Sequence, residues 1–405
     1  MHTFKINPTT MHFITLYSIV VTVILAMLLV PQSQQILRHY AILNIMPLRV
    51  NHIPSFMLAV PRLQMLRVIL EEGVFEHLDK HGPTSVSNIA SALNLDEDTL
   101  HTYLSNLAFM ELIHAYKDKK SGEEIVSLTQ VSKSHLLNDS KISMIPLTRL
   151  IGSSYASTAT ALHASERLKT GKLPESAAHA SSPGHEFWKL FARASNAMAV
   201  ETAHDLITAF EKKKIILSRE DPRALTIIDT ACSSGGYGGT FATRLPNSRV
   251  TFFDFDYVIE ITKEEISKSF PHVLSRSQFI GGDLFKFDDA ELNMFDIALA
   301  PQIFHHFGRD ECVQLAKTYF KTLKPGGWLG VVEMLRSNGD IPNHPFEFNE
   351  FPVMFNLVMK MTTLTGQAFT KGDFVDILES AGFKDVQVID LFPKPPSLVL
   401  ARKPN

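Results

Sequence analysis

The stretch TIIDTACSSGGYGG, residues 226–239, runs from an apolar segment through an acid into a loop of small residues. An acid followed by such a loop is what a charged amino-acid-like or sugar group needs close to backbone N–H donors. Asp229 supplies the acid, and Ala231, Ser233 and Gly235 stand at alternate positions of the loop. A second carboxylate, Asp254 in VTFFDFD, follows the loop by about 20 residues, a spacing at which it can accept both hydroxyls of a ribose. Asp283 in GGDLF closes the next apolar run, and Asp296 opens the one after it. Aspartate is also simply common at strand ends, but the first two acids together point to a nucleoside-type ligand with a charged tail.

The elements that must hold these acids are legible as alternation. Short apolar runs (ALTIID, RVTFFDF, SQFIGGD, FDIALA and WLGVVEM) are separated by helical stretches such as IEITKEEISKSF and RDECVQLAKTYFKTL. Strands apolar on both faces, alternating with helices, imply an α/β, Rossmann-like doubly wound parallel sheet covered by helices. FKDVQVIDLF and SLVLAR, joined by a proline-rich turn, read as a closing hairpin. In such sheets ligands sit at the carboxyl ends of the strands, where Asp229, Asp254 and Asp283 are expected.

Composition bounds the rest. With 405 residues, 45% of them apolar, the chain is long enough for two domains with substantial cores. A net charge of −3 gives no electrostatic case for nucleic acid. Two cysteines, Cys232 and Cys312, make no disulfide framework and no zinc spacing, so no metal is expected and a reducing compartment is the default.

The N-terminus departs from a soluble reading. Residues 11–30, MHFITLYSIVVTVILAMLLV, contain no Asp, Glu, Lys or Arg. As a helix they would cover roughly 30 Å, the thickness of a bilayer's hydrocarbon core. The run exceeds a signal peptide's apolar core, and no small-x-small site follows it. A single transmembrane anchor is expected, followed by a linker over 31–54. Lys5 precedes the run while Arg38, Arg49, Arg62 and Arg67 follow it, which places the bulk of the chain in the cytoplasm.

Residues 55–145 read as short helices ending in a hairpin. TSVSNIASALNL opens with a hydroxyl residue suited to an N-cap, and Asp96 can cap EDTLHTYLSNLAFMELI. HAYKDKKSGEEIVSLT places a polar turn between two short apolar stretches. This is a winged-helix order, yet DTLHTYLSNLAFM offers no Arg or Lys to phosphates, so the segment is expected to dimerise and cover the site rather than read DNA. Residues 146–215 form a helical linker, in which HEFWKLFARASNAMAVETAHDLITAF carries Phe187, Trp188 and Met198 toward an interior surface. Residues 216–405 hold the catalytic sheet.

No G-x-G-x-x-G fingerprint and no Gly-Lys-Ser/Thr P-loop is present. The order acid, loop, acid, GGDLF, then LKPGG before the fifth strand resembles class I S-adenosylmethionine-dependent methyltransferases. APQIFHHFGRDECVQLAKTYFKTLKPGGWLGVVE narrows the resemblance to the small-molecule O-methyltransferases of the plant caffeate type and of bacterial carotenoid and polyketide pathways. TGQAFTKGDFVDILESAGF and FARASNAMAV are similar to further segments of that family, and the resemblance covers about residues 55–403.

The resemblance implies transfer of the sulfonium methyl group of S-adenosyl-L-methionine to a phenol, enol or hydroxyl. Asp229, Ala231, Ser233, Gly235, Asp254, Phe255, Asp283, Leu284 and Phe285 fall on the cofactor side. The family's histidine falls on His305, the implied general base, with His306 as the neighbour that a one-residue change in the loop would exchange for it. A hydroxyl with a pKa near 10 is a poor nucleophile at neutral pH, so an imidazole is a natural activator. Glu333 matches the first of two flanking acids, and the second falls on Ala368. Phe187, Trp188, Met198, Met354, Asn356 and Met359 match the acceptor wall and are mostly apolar, implying a lipophilic or aromatic acceptor.

Four positions depart from the family's pattern. Its loop reads acid-x-Gly-x-Gly-x-Gly, where this chain has Ala231 and Ser233 before Gly235. Alanine tolerates close approach but not a positive φ, so Ala231 is expected to be extended. Pro301 stands where lysine is frequent, and Ala368 cannot orient a base. Two alternatives therefore stay open: a catalytically silent scaffold, and a cofactor-dependent decarboxylase or hydroxylase.

Overall fold

A computed structural model describes residues 57–119, 121–140, 143–153, 164–173, 186–217, 221–286, 293–337, 350–391 and 394–405. The expected anchor at 11–30 and linker at 31–54 lie outside the described residues. Among the described residues, no helix is long and apolar enough to cross a membrane. The chain divides into two units, Met1–Gln64 and Met65–Asn405. Of the first, only residues 57–64 are described, and they include the opening turns of α1 (Ala59–Glu71).

In the second unit α1 stops short of Gly73, a left-handed residue at φ 75°, and α2 (Val74–His81) begins there. Gly73 thus separates two of the expected short helices, since only glycine enters that region without steric cost. The short strand β1 (Thr84–Ser85), α3 (Val86–Leu93) and α4 (Glu97–Phe109) follow. Ser85 caps α3 by accepting the Asn88 N–H, and Asp96 caps α4 by accepting that of Thr99 at 2.9 Å. The hairpin β2 (Ile113–Lys117) and β3 (Glu124–Leu128) flanks the polar turn and pairs antiparallel, with β1 on its free side. Ile69, Phe75, Leu78, Ile89, Leu104, Leu107 and Val126 close a core beneath it. Next come α5 (Gln130–His135), α6 (Ile145–Ile151), α7 (Ala164–Thr170) and the long α8 (Glu186–Lys212).

The sheet is built as the alternation implies. Its strands are β4 (Thr226–Thr230), β5 (Arg249–Asp254), β6 (Ser277–Gly281), β7 (Phe295–Pro301), β8 (Leu323–Glu333), β9 (Lys384–Asp390) and β10 (Ser397–Arg402). Their order is β6-β5-β4-β7-β8-β10-β9. The first five run parallel, and β10 lies antiparallel between β8 and β9 as the closing hairpin. Helices α9 (Gly236–Arg244), α10 (Asp256–Ser269), α11 (Arg309–Thr322), α12 (Glu350–Thr362) and α13 (Lys371–Ser380) complete the chain.

Adjacent strand residues face opposite layers, the two-residue period of a strand. Ile227 and Phe252 pack with Phe210 and Phe241 on one side, while Ile228 and Phe253 pack with Leu315, Tyr319 and Phe374 on the other. Two apolar faces, each buried under helices, fix the register, because a one-residue slip would exchange them. All parallel strands therefore deliver their C-terminal residues to one edge, which carries the candidate site.

Candidate active site

The loop after β4 does not take the extended form expected of Ala231. Ala231 (φ 46°), Ser233 (φ 55°) and Gly235 (φ 80°) are all left-handed. These are the positions the family fills with glycine, and the chain keeps the conformation without the residue. Each non-glycine residue there costs about 1–2 kcal/mol. The surroundings hold the loop in place: the Ser233 N–H donates to Oδ2 of Asp254 at 2.8 Å, and the Thr262 hydroxyl donates to the Ser233 carbonyl at 2.6 Å. Ser195 and Asn196 of α8 reach the loop from above, at 3.2 Å from the Ser233 hydroxyl and 3.1 Å from that of Ser234. At Gly235 even the positive φ is not the whole constraint, because a Cβ would lie 2.9 Å from the Ile266 side chain.

Asp254 ends β5 half-buried, with Oδ1 accepting the Phe255 N–H at 2.8 Å. Burial pushes its carboxyl up to about 6, against the Ser233 and Phe255 N–H groups that favour the charged form. A carboxylate has about four lone-pair sites, so two remain for a vicinal diol. Asp229 is placed differently from the expectation. It is fully buried, Oδ2 accepts the Gly238 N–H at 2.7 Å, and Oδ1 has no hydrogen-bond partner among the described residues. Burial raises its carboxyl well above the ordinary range, opposed by the Gly238 bond and reinforced by Asp254. Asp229 thus ties β4 to the start of α9 from beneath rather than presenting a charge to a ligand.

Asp283 lies just beyond β6, not within it, and caps the turn Leu284–Lys286 by accepting the Phe285 N–H at 3.0 Å. Leu284 and Phe285 are partly buried, and Phe285 meets Phe307 edge to face, which links the cofactor side to the histidine loop. Phe255 stacks on Tyr257. Asp296 is at the other edge of the sheet, bound to Thr226 and Lys324, and is structural.

His305 sits in a helical turn, Phe304–His306, after β7 and is 4% exposed. Its Nδ1 lies 2.6 Å from Oε1 of Glu333, at the end of β8, and its backbone N–H donates to Oε2 of the same carboxylate at 3.0 Å. Because a carboxylate only accepts, Nδ1 carries the proton and Nε2 presents a lone pair. His306 stacks beside it with ring centroids 4.3 Å apart. Burial lowers its pKa well below the ordinary histidine value, and His305 adds to this, so His306 is neutral at physiological pH.

The acceptor-wall residues are only partly brought together. Met359 is buried and Met198 half-buried, whereas Met354 is 48% exposed with Phe351, Val353 and Leu357. Asn356 does not offer its carbonyl to a ligand; Oδ1 accepts the Ala368 N–H at 3.0 Å. Phe187 and Trp188 lie in the first turn of α8, and their side chains are outside what is described. Two residues escaped sequence reasoning. Phe355 of α12 stands edge-on to His305 at 4.7 Å between centroids. Gly366 lets the following turn lie directly on the histidine loop, where a Cβ would strike the His305 carbonyl and the Thr363 hydroxyl. Its neighbours in sequence, TLTGQAF, give a turn signal but not this approach. Among the described residues no cluster of His, Cys, Asp or Glu is arranged to hold a metal ion.

An O-methyltransferase domain model matches residues 184–384, the span from α8 to the start of β9 that carries every part of this site. The chain carries an O-methyltransferase domain. Among curated relatives, acetylserotonin O-methyltransferase of Macaca mulatta is 24% identical over 80% of this chain and 89% of its own length. The Gallus gallus enzyme of the same name is 30% identical over a shorter stretch, 38% of this chain and 42% of that protein. Flavonoid 8-O-methyltransferase 1 of Ocimum basilicum is 22% identical over 84% and 90%. The fold is shared with human N-acetylserotonin methyltransferase in complex with S-adenosylmethionine (TM-score 0.72, 20% identity, 88% of this chain and 98% of that one). An O-methyltransferase family protein of Burkholderia thailandensis superposes with a TM-score of 0.66 at 16% identity, over 88% and 98%. The family's methyl donor is S-adenosyl-L-methionine, and the residues of this chain fit it: a half-buried carboxylate with open lone pairs ends β5, beside a loop bearing two serine hydroxyls.

Proposed function

We propose that this chain is a membrane-anchored O-methyltransferase that methylates a hydroxyl of a lipophilic or aromatic small molecule, with His305 as general base. The observation that carries the reading is the buried His305–Glu333 pair, Nδ1 to Oε1 at 2.6 Å. S-adenosyl-L-methionine, when bound, supplies an electrophilic methyl group. Asp254 holds the ribose hydroxyls, and Ser233, with Gly235 and Ala231 shaping the loop, faces the amino-acid tail. Glu333 fixes the imidazole tautomer by accepting from Nδ1, and the same contact stabilises the imidazolium that forms when Nε2 takes the acceptor's proton. His305 is buried and Phe355 meets its ring edge-on, which keeps water from the proton transfer. His306 lies beside the base as a packing partner, and burial holds it neutral.

The apolar run at 11–30 supports the anchor, and the arginines after it support a cytoplasmic catalytic unit. A tether raises the local concentration of acceptors dissolved in the bilayer, in keeping with the apolar acceptor wall. Residues 55–145, capped and closed over their own core, serve as the dimerisation unit. The test is transfer of labelled methyl from the donor into hydroxyl-bearing lipid, quinol and phenol fractions of a membrane extract. Label in an organic-soluble ether product is expected; label in none of the fractions sinks the proposal.

A further inference from the structure

Three cations converge on one short turn beside the candidate base. Arg167 of α7 donates from Nη1 to the Leu364 carbonyl at 3.2 Å. Lys360 of α12 donates from Nζ to Oε1 of Gln367 at 3.4 Å. Arg336, three residues past Glu333, donates from Nε to the Ala368 carbonyl at 2.8 Å. All three partners lie within residues 364–368, the turn whose Gly366 rests on the His305 backbone.

The turn alone does not explain the charges. Arg167 is only 9% exposed and Lys360 is half-buried, and neither has an acidic partner among the described residues. Withdrawing a cation from water without a counter-charge is unfavourable, and placing like charges near one another adds repulsion. Lys360 registers both effects: burial lowers its pKa, then the charges of Arg167 and Arg336 lower it further. Carbonyl and amide oxygens satisfy some N–H donors of Arg167 and Lys360 but leave their positive charges in place. An oxyanion would remove it.

The position favours a substrate over a remote effector. Lys360 lies one turn along α12 from Asn356, and its partner Gln367 directly follows Gly366, which rests on the His305 carbonyl. An anion at Lys360 therefore sits beside the turn that packs directly on the candidate base. Resting on the methyltransferase reading above, we propose that Arg167 and Lys360, backed by Arg336, form a subsite for an anionic group of the acceptor, a carboxylate, sulfate or phosphate. The acceptor is then an amphipathic hydroxyl compound, apolar along Met359 and Phe355 and anionic at its far end.

The subsite can be read without knowing the acceptor. Inorganic phosphate is titrated calorimetrically into the full chain in non-ionic detergent at constant ionic strength, and S-adenosylhomocysteine is titrated into the same preparation. Saturable phosphate binding is expected, weakened at least about tenfold by Lys360→Met and retained by Lys360→Arg. No saturable binding, or equal binding in Lys360→Met, overturns the subsite. Loss of S-adenosylhomocysteine binding with phosphate binding kept would instead overturn the methyltransferase reading, so the two failures are distinct.

Discussion

The carboxylate of Glu333 grips His305 twice, taking the ring Nδ1 at 2.6 Å on Oε1 and the backbone N–H at 3.0 Å on Oε2. Oε1 also accepts the Met334 N–H at 3.1 Å, so the acid is locked to its own strand end. One buried acid therefore sets the position of the loop, the orientation of the ring and the tautomer. This compensates for Ala368, which occupies the place of a second acid and contributes only backbone groups, to Asn356 and Arg336.

Glu333→Gln keeps the shape and removes the charge. Methyl transfer is expected to fall about tenfold or more in kcat, with the affinity for S-adenosylhomocysteine unchanged, because the acid acts through the histidine. Steady-state kinetics alongside calorimetry checks the split. A loss confined to the donor's affinity would assign Glu333 to the cofactor instead.

Asp254 makes cofactor retention pH-dependent. Its carboxyl titrates at about 6 in the folded chain, above the ordinary value of 3.8. Between those values the folded chain binds the proton more tightly than the unfolded one, so this group's contribution to stability falls as the pH rises toward 6. Function runs the other way, since only the ionised acid can accept both ribose hydroxyls. Equilibrium dialysis is expected to show S-adenosylhomocysteine held at pH 7.5 and progressively released below about pH 6. Asp254→Asn is expected to abolish retention, because its amide nitrogen cannot accept and so displaces either the Ser233 or the Phe255 N–H.

The left-handed Ala231 predicts a stabilising substitution. Ala231→Gly removes the steric cost of φ 46° and is expected to raise the unfolding free energy by about 1 kcal/mol, measured by denaturant titration. Gly366→Ala predicts the reverse. Its new methyl group meets the His305 carbonyl, so a cost of about 1–3 kcal/mol is expected together with reduced methyl transfer.

These positions also mark where the sequence stops being informative. The strands were legible because their residues are apolar on both faces, and Ile227 and Ile228 indeed enter opposite layers. The caps at Ser85 and Asp96 were legible because a cap is local chemistry. The conformation of the loop holding Ala231 was not, because its Ser233 is held by Asp254 and Thr262, 21 and 29 positions further along the numbering. Asp229 was expected to meet a ligand and is instead sealed under Gly238, since strand position alone does not tell which way a terminal side chain turns. Phe355, Gly366 and the cations on the 364–368 turn depend on how α12 folds back over the histidine loop, a long-range contact with no local signal.

Replacing the base tests the account most directly. Wild type and His305→Ala are compared for transfer of labelled methyl from S-adenosyl-L-methionine into a membrane lipid extract, with S-adenosylhomocysteine binding measured on both. The account predicts a fall of about 10²–10⁴-fold in transfer with binding retained. Equal transfer by the two proteins would contradict it.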